Sequence, residues 1–363
     1  MVHVKKEGII LQKTDHAFEN EGVFNPAVIK VDETVHMFYR AVRKGNHSTI
    51  GYCRLDDPLK VSERLDKPLL FPEHDYETRG LEDPRIVKID DTYYMSYTGY
   101  DDVNAQAALA TSPDLKTFKK HGLIVPRITY AEFKKHATYC GDVNEKYFRQ
   151  HDMYRSRGGM HKKLFLWDKN VIFFPRRING KLAFLHRVRP GIQLVMVESL
   201  DELTKAFWEN YFNEFSQHIV LDPKHAHEAS YIGGGCPPIE TPDGWVLIYH
   251  GVQDTPGGYI YNACAALLDL ENPQKELTRL PVALFSPDYN WEQHGIVNNV
   301  VFPTGTALFG DTLYVYYGAA DEHIACASLS FSALLDELLA QVHSPQTQMN
   351  NEINISPRKN LHV

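Results

Sequence analysis

Glu82 and Asp83, adjacent carboxylates in RGLEDPRIV (79–87), are the residues of this chain best suited to acid–base chemistry. Pro84 fixes the backbone beside them, and Arg85 is placed to hold one carboxylate charged or in position. Neighbouring side chains of a strand point to opposite faces, so only one of the two faces a given pocket. A carboxylic acid in a confined site, its pKa raised, serves as general acid at glycosidic cleavage. The competing reading is a structural carboxylate–Arg pair that closes a turn.

A second set of polar residues is united by register. Five strand-like copies recur: DETVHMFYRAV (32–42), DDTYYMSYTGY (90–100), NGKLAFLHRV (179–188), DGWVLIYHGV (243–252) and GDTLYVYYGAAD (310–321). Each opens on hairpin-turn residues and continues with period-2 hydrophobicity. Aligned on their apolar runs, they bring Arg40, Thr98, Arg187, His250 and Gly318 together, at intervals of 58, 89, 63 and 68 residues. Such spacing leaves room for about four short strands per copy, the size of a propeller blade. The expected fold is all-β: a five-bladed β-propeller spanning 1–363 as one domain, with a short helical or loop insertion. A β-sandwich or an unrelated series of hairpins is the other topology.

If the aligned strands are the first of each blade, they line the axial channel, and Arg40, Arg187 and His250 converge on one volume. Three donors converging in an acidic protein suit an anion or a polyhydroxyl ligand. Alternatively each pairs with a buried carboxylate. Two neighbouring segments add polar groups: NPAVI (25–29) sets Asn25 before Arg40, and WDKNVIFFPRR (167–177) sets Lys169 before Arg187. In YIGGGCPPIET (231–241) the glycines permit close backbone approach, but no βα unit follows to make a dinucleotide site. Helices are expected at 129–137, 201–216 and 331–341. A charged, His-rich insertion at about 127–165 suits a cover near the pocket mouth or a subunit contact, and about 343–363 reads as a polar tail.

Composition removes several classes. With 38 basic and 46 acidic residues the chain has a net charge of −8, without the basic footprint of a nucleic-acid binder. The aromatic content, 12%, favours strands and sugar sites. Five scattered cysteines without a C-x-x-C pair suit free thiols in a reducing compartment. The start MVHVKKEG is no signal peptide and no apolar run reaches membrane length, so a cytoplasmic protein with no membrane partner is expected. His225 and His227 lack the partners of a metal site, and no G-x-S-x-G elbow is present. Neither a metal nor a cofactor is expected, and a homo-oligomer stays open.

In these segments the chain resembles glycoside hydrolase family 130, the mannoside phosphorylases and β-1,2-mannosidases. The matching motifs are NPAVI, LEDPRIV with YTGYD, KNVIFFP with NGKLAFLHR, GGGCPPIETPDGWVLIYHGV, ALLDLENP, and NVVFPTG with LYVYYGAAD, in family order over roughly 20–330. The resemblance implies a five-bladed propeller and an inverting single displacement. It makes Asp83 the catalytic acid, its proton passing through a sugar hydroxyl in the phosphorylases. It places Asn25, Arg40 and Asp321 on the mannose to be cleaved, with Glu82 and Arg85 of the LEDPR motif as further substrate-binding residues. Lys169, Arg187, His250 and Tyr261 fall where phosphorylases hold phosphate, the co-substrate. One position departs: phosphorylases usually carry Lys where this chain has Tyr231. The hydrolases lack the basic ligands and use a Glu to activate water, and Glu228 is the candidate base here. The expected reaction is phosphorolysis of a β-mannoside oligosaccharide to mannose 1-phosphate. The alternatives are an inverting β-1,2-mannosidase and a non-catalytic sugar-binding propeller; the unlike residues of the five copies speak against the latter.

Overall fold

The computed structural model describes residues 2–139, 143–149 and 163–342. The polar tail and the middle of the insertion lie outside the described residues. The chain is mostly β, built from antiparallel meanders in chain order. After β1 (Lys5–Leu11) the first unit comprises β2 (Gly22–Val31), β3 (Thr34–Arg43), β4 (His47–Asp57) and β5 (Lys60–Arg64). The second is β6 (Gly80–Ile89), β7 (Thr92–Tyr100), β8 (Ala105–Ser112) and β9 (Lys119–Leu123). One parallel bridge, Ser48 to Gly80, joins these two units into a single sheet. The third unit is β10 (Lys169–Phe173), β11 (Leu182–Arg187), β12 (Ile192–Val197) and β13 (Ile219–Leu221). In the fourth, β14 (Tyr231–Gly234) and β15 (Ile239–Thr241) both pair with β16 (Gly244–Thr255), which continues to β17 (Gly258–Leu268) and β18 (Glu276–Arg279). The last unit is β19 (Val301–Phe309), β20 (Thr312–Ala319) and β21 (His323–Ser330), and the N-terminal β1 completes it by pairing with β21.

The turn signals behave as the repeats require. Asp32, Asp90 and Asn179 adopt positive φ (52°, 54° and 51°) at the hairpins that open the repeated strands. Asx residues tolerate that region, and it matches the twist of a tight hairpin.

The repeated strands are β3, β7, β11, β16 and β20, so they are the second strands of their units, not the first. That corrects the expectation for Arg40, Arg187 and His250. The first strands are β2, β6, β10, β14 and β19, and they carry a shared irregularity. Register slips between Phe24 and Ala27, Glu82 and Arg85, Lys169 and Ile172, and Pro303 and Gly305, while the fourth unit breaks between β14 and β15. At these bulges Asn25, Asp83 and Asn170 have positive φ of 51°, 49° and 58°. A bulge inserts one residue and re-aims side chains; proline, which cannot donate to the ladder, is at home there as Pro26 and Pro84.

Apolar clusters lie between successive units. Val87, Leu109, Phe173 and Phe184 join the second to the third; Val246, Leu267, Val315 and Leu329 join the fourth to the fifth. The expected helices are present. Residues 129–137 contain α1 (Tyr130–Ala137), capped by Thr129 and Glu132. The 201–216 region contains α2 (Lys205–Asn213), capped by Thr204, and the C-terminal one is α3 (Phe331–Val342). Among the described residues no helix is long and apolar enough to cross a membrane.

A polar motif also repeats. Glu19, Glu77, Glu228 and Glu292 are fully buried. Each accepts a tyrosine hydroxyl from the second strand: Tyr39 at 2.8 Å, Tyr97 at 2.7 Å, Tyr249 at 2.6 Å and Tyr317 at 2.7 Å. Each also pairs with a cation, respectively Arg64, Lys120, Arg279 and Lys6. In the third unit His186 takes the tyrosine's place and bonds Asp168 through Nδ1 at 2.8 Å. These pairs satisfy buried charge inside each unit, where an unpaired carboxylate would be strongly destabilising.

Candidate active site

The bulges turn the first strands' polar residues into one cavity of about 140 Å3. Of the residues expected at the site, Asn25, Arg40, Asp83, Lys169, Arg187, Tyr261 and Asp321 line it. Cross-strand pairing sets their relative heights: Arg40 lies opposite Phe24, Arg187 opposite Lys169, and His250 opposite Gly233. Two glycines are obligatory. A Cβ on Gly318 would lie 2.0 Å from Asn25 Oδ1, and one on Gly233 would lie 2.6–2.7 Å from His250 and Arg187 atoms. A larger cleft of about 390 Å3 beside α2, lined by Phe207, Tyr211 and His218 among others, shares no residue with this cavity.

The carboxylates and their partners form one end of the polar network. Asn25 Nδ2 donates to Asp83 Oδ1 at 2.8 Å. Arg40 bonds Glu82 at 2.7 Å and approaches Asp83 at 3.5 Å. Lys169 Nζ stands 3.7 Å from Glu82 and 3.9 Å from Asp83. Burial alone would raise the Asp83 carboxyl, but Lys169, Arg40 and Arg85 together with the Asn25 amide outweigh it and hold Asp83 below the ordinary range. The expected raised pKa is thus absent from Asp83 in the unliganded site. Asp321 is the carboxyl that moves up, to about 6, through burial and the nearby Asp83 and Glu82 charges, against the pull of Arg40.

The other part of the network is cationic. Burial and then the Arg189 guanidinium bring Arg187 down to about 10. Among the described residues Arg187 makes no ion pair, and its buried Nε has no partner. Burial, reinforced by Arg187, pushes His250 well below its usual value and keeps it neutral. Its Nε2 therefore accepts from Arg187 Nη1 at 3.3 Å. His250 does not line the cavity itself; it stands behind Arg187, packed on Phe302 with ring centroids 4.4 Å apart. Tyr261 and Tyr231 share a hydrogen bond of 2.5 Å between their hydroxyls. Asn25 Oδ1 and both polar atoms of the Asn170 side chain are buried without partners. Buried polar atoms left this way are costly unless a further partner satisfies them.

Besides His250, three expected site residues do not line the cavity. Glu82 does not line the cavity; it holds Arg40 and Lys169, which do. Arg85 does not line the cavity; it spends its guanidinium on the carbonyls of Asp83, Pro84, Gly234 and Gly235, cross-linking two units. Glu228 belongs to the structural Glu–Tyr–cation motif: Arg279 and two backbone N–H groups hold Oε1, and Tyr249 holds Oε2. It does not reach the cavity as a base. His227, Glu228 and Cys264 lie close enough to suggest a metal site, but Arg279 already neutralises that carboxylate.

Sequence reasoning missed Asn170, Arg189 and Phe302 in the lining. Asn170 had a signal: KNV sits one bulge along from NP and DP, with an Asx residue at the same place. Arg189 lies beyond the end of β11, outside any periodic pattern.

The family model of glycoside hydrolase family 130 described as beta-1,4-mannooligosaccharide phosphorylase matches residues 8–339. The chain is 34% identical over 332 residues to a 1,2-beta-oligomannan phosphorylase of Thermoanaerobacter sp. (strain X514), covering 88% of this chain and 94% of that protein. It is 33% identical to a beta-1,2-mannobiose phosphorylase of the same organism, covering 90% and 96%. The solved beta-1,2-mannobiose phosphorylase from Listeria innocua, in complex with beta-1,2-mannobiose, shares the fold at a TM-score of 0.69 and 22% identity, covering 93% and 99%. Motifs, fold and matches along nearly the whole length agree: the chain belongs to glycoside hydrolase family 130.

Proposed function

We propose that this chain is an inverting phosphorylase of β-1,2-linked mannosides, and that its five antiparallel units are the blades of a propeller around the Asp83 cavity. The propeller reading is supported by contacts of β2 with β6 and β19, of β6 with β10, and of β10 with β14. The pairing of β1 with β21, which finishes the last unit with the chain's other end, supports it too. The linkage follows the two relatives that are above 30% identical over nearly the whole chain, both named for β-1,2-mannosides; a beta-1,4-mannooligosaccharide phosphorylase of Ruminococcus albus is 34% identical over 47% of the chain. Buried, unpaired Cys53, Cys236, Cys264 and Cys326 support a cytoplasmic enzyme.

One observation carries phosphorolysis over hydrolysis. Lys169 and Arg187 line the same cavity as Asp83, while the candidate water-activating base, Glu228, is locked in a structural motif. Phosphate carries close to two charges near neutral pH and needs cations and donors, not a base. In the proposed reaction a phosphate oxygen held by that wall bonds to the anomeric carbon as the glycosidic C–O bond breaks. The leaving oxygen receives the proton that Asp83 supplies through a sugar hydroxyl, so β-mannoside yields α-mannose 1-phosphate. Nucleophile and acid then act from opposite sides of the sugar. Asn25, Arg40 and Asp321 hold the mannose; Lys169, Arg187 and Tyr261, with His250 behind, hold phosphate.

The test is product analysis on β-1,2- and β-1,4-mannobiose with and without inorganic phosphate. The proposal expects mannose 1-phosphate from the β-1,2 substrate and negligible turnover in phosphate-free buffer. Free mannose at full rate without phosphate would refute it.

A further inference from the structure

We infer that Arg189 is a phosphate-binding residue of this enzyme, supplying from the end of β11 the positive charge that Tyr231 does not carry on β14. This assignment rests on the phosphorylase reading above. Several observations support it. Arg189 lines the cavity that holds Asp83, Lys169 and Arg187. Its guanidinium carbon lies 3.8 Å from the ring centroid of Tyr231, so the aromatic face holds the cation against that wall; the Arg187 carbon is 5.6 Å from the same ring. A guanidinium over an aromatic face keeps its charge and its donors, the chemistry that recognises an oxyanion.

Arg187 and Arg189 are two residues apart and electrostatically coupled: after burial, Arg189 is the strongest influence lowering the Arg187 pKa. Two cations that press on each other, one of them with an unpartnered buried N–H, favour an anion between them. The Tyr231 hydroxyl, bonded to Tyr261, adds a further donor to that wall. Arg189 and Tyr231 also line a second cavity of about 360 Å3, together with Lys146, Arg149 and Asp254. Arg189 and Tyr231 thus line both cavities. The usual lysine's charge has not been lost from this wall; it arrives from the neighbouring unit and is held in place by the tyrosine.

The experiment compares wild type with Arg189→Gln and the milder Arg189→Lys. Initial rates are measured against inorganic phosphate at saturating β-1,2-mannobiose, then against mannobiose at saturating phosphate. The phosphate KM should rise about 10- to 100-fold in Arg189→Gln, as expected for losing a charge-assisted bond, and less in Arg189→Lys. The mannobiose KM should stay within about twofold. Phosphate should raise the melting temperature of wild type more than that of Arg189→Gln, a readout that needs no turnover. Adding Tyr231→Lys to Arg189→Gln should restore much of the phosphate affinity by returning a cation to the same wall. A wild type that needs phosphate, beside a folded Arg189→Gln with unchanged phosphate KM and unchanged phosphate-induced stabilisation, overturns this assignment alone. A wild type indifferent to phosphate overturns the phosphorylase reading and the assignment with it.

Discussion

Asn25 donates its side-chain amide to Asp83 across 2.8 Å, and both residues sit at positive φ immediately before a proline, each at the bulge of its unit's first strand. The same backbone device therefore builds two halves of one contact from units 58 residues apart. The bulge turns each polar side chain out of the pleat, and the proline prevents the ladder from healing over it. What reads as a structural defect in two strands is how the reaction centre is aimed.

Asp83→Asn preserves this geometry, since Asn also tolerates positive φ and can keep a hydrogen bond to a flipped Asn25 amide. It removes the proton. The expected result is a kcat lower by about 10^2- to 10^4-fold with substrate affinity retained, read from steady-state kinetics and mannobiose binding. Residual turnover within tenfold of wild type would show that another group delivers the proton.

A pH consequence follows from Lys169, which stands 3.9 Å from Asp83 and lines the proposed phosphate site. In the unliganded site Lys169 and Arg40 hold the Asp83 pKa down, so Asp83 is ionised at neutral pH. A bound phosphate dianion neutralises part of that cationic field and adds repulsion, both of which raise the Asp83 pKa. A group whose pKa rises on binding takes up a proton, and binding strengthens as pH falls towards the raised value. Calorimetric titration of phosphate in buffers of different ionisation enthalpy should show more proton uptake in wild type than in Asp83→Asn. Equal uptake in the two would mean that Asp83 is not loaded by phosphate.

Glu228 offers a test of structure against catalysis. Glu228→Gln leaves the Arg279 charge buried with one fewer anion, which should cost about 3 kcal/mol of stability. Glu77→Gln, in the equivalent motif of the second unit, should cost a similar amount. Thermal or urea unfolding measures both, and kcat per folded enzyme should change by less than about threefold in each. A specific loss of turnover in Glu228→Gln, with stability intact, would return it to the list of bases.

The regular second strands were legible because their period-2 pattern is unbroken, and the register of Arg40, Arg187 and His250 drawn from it is the observed one. Strand order was not legible for the same reason. Bulges at Asn25, Asp83 and Asn170 interrupt the alternation of the first strands, so the residues nearest the chemistry lie in the least periodic sequence. Glu228 was misread because its cation, Arg279, is 51 residues away. A spacing signal existed nonetheless: Glu19 precedes Tyr39 by 20 residues, Glu77 precedes Tyr97 by 20, and Glu228 precedes Tyr249 by 21. Read together, those intervals describe a packing motif and not a base.

The third unit replaces that motif with Asp168 and His186, and the replacement adjoins Lys169 and Arg187 of the proposed phosphate site. Asp168 precedes Lys169 on β10 and His186 precedes Arg187 on β11, and Lys169 and Arg187 are cross-strand partners. Successive side chains alternate faces, so the buried Asp168–His186 bond clamps the two strands from the side opposite their cations. Tyr211 from α2 closes the clamp, its hydroxyl 2.7 Å from His186 Nε2 and donating to the Leu194 carbonyl at 3.0 Å. Asp168 and His186 are thus positioning residues. Asp168→Asn should raise the phosphate KM about tenfold, since small displacements of oriented groups are expensive, while the mannobiose KM moves less than about twofold. Tyr211→Phe, which removes the bonds of that hydroxyl to His186 and Leu194 and leaves the Asp168–His186 bond in place, should have a smaller effect of the same kind. Comparing the two Michaelis constants in each variant is the measurement. If both constants rise together, or if only the melting temperature falls, the clamp holds the fold without holding the phosphate site.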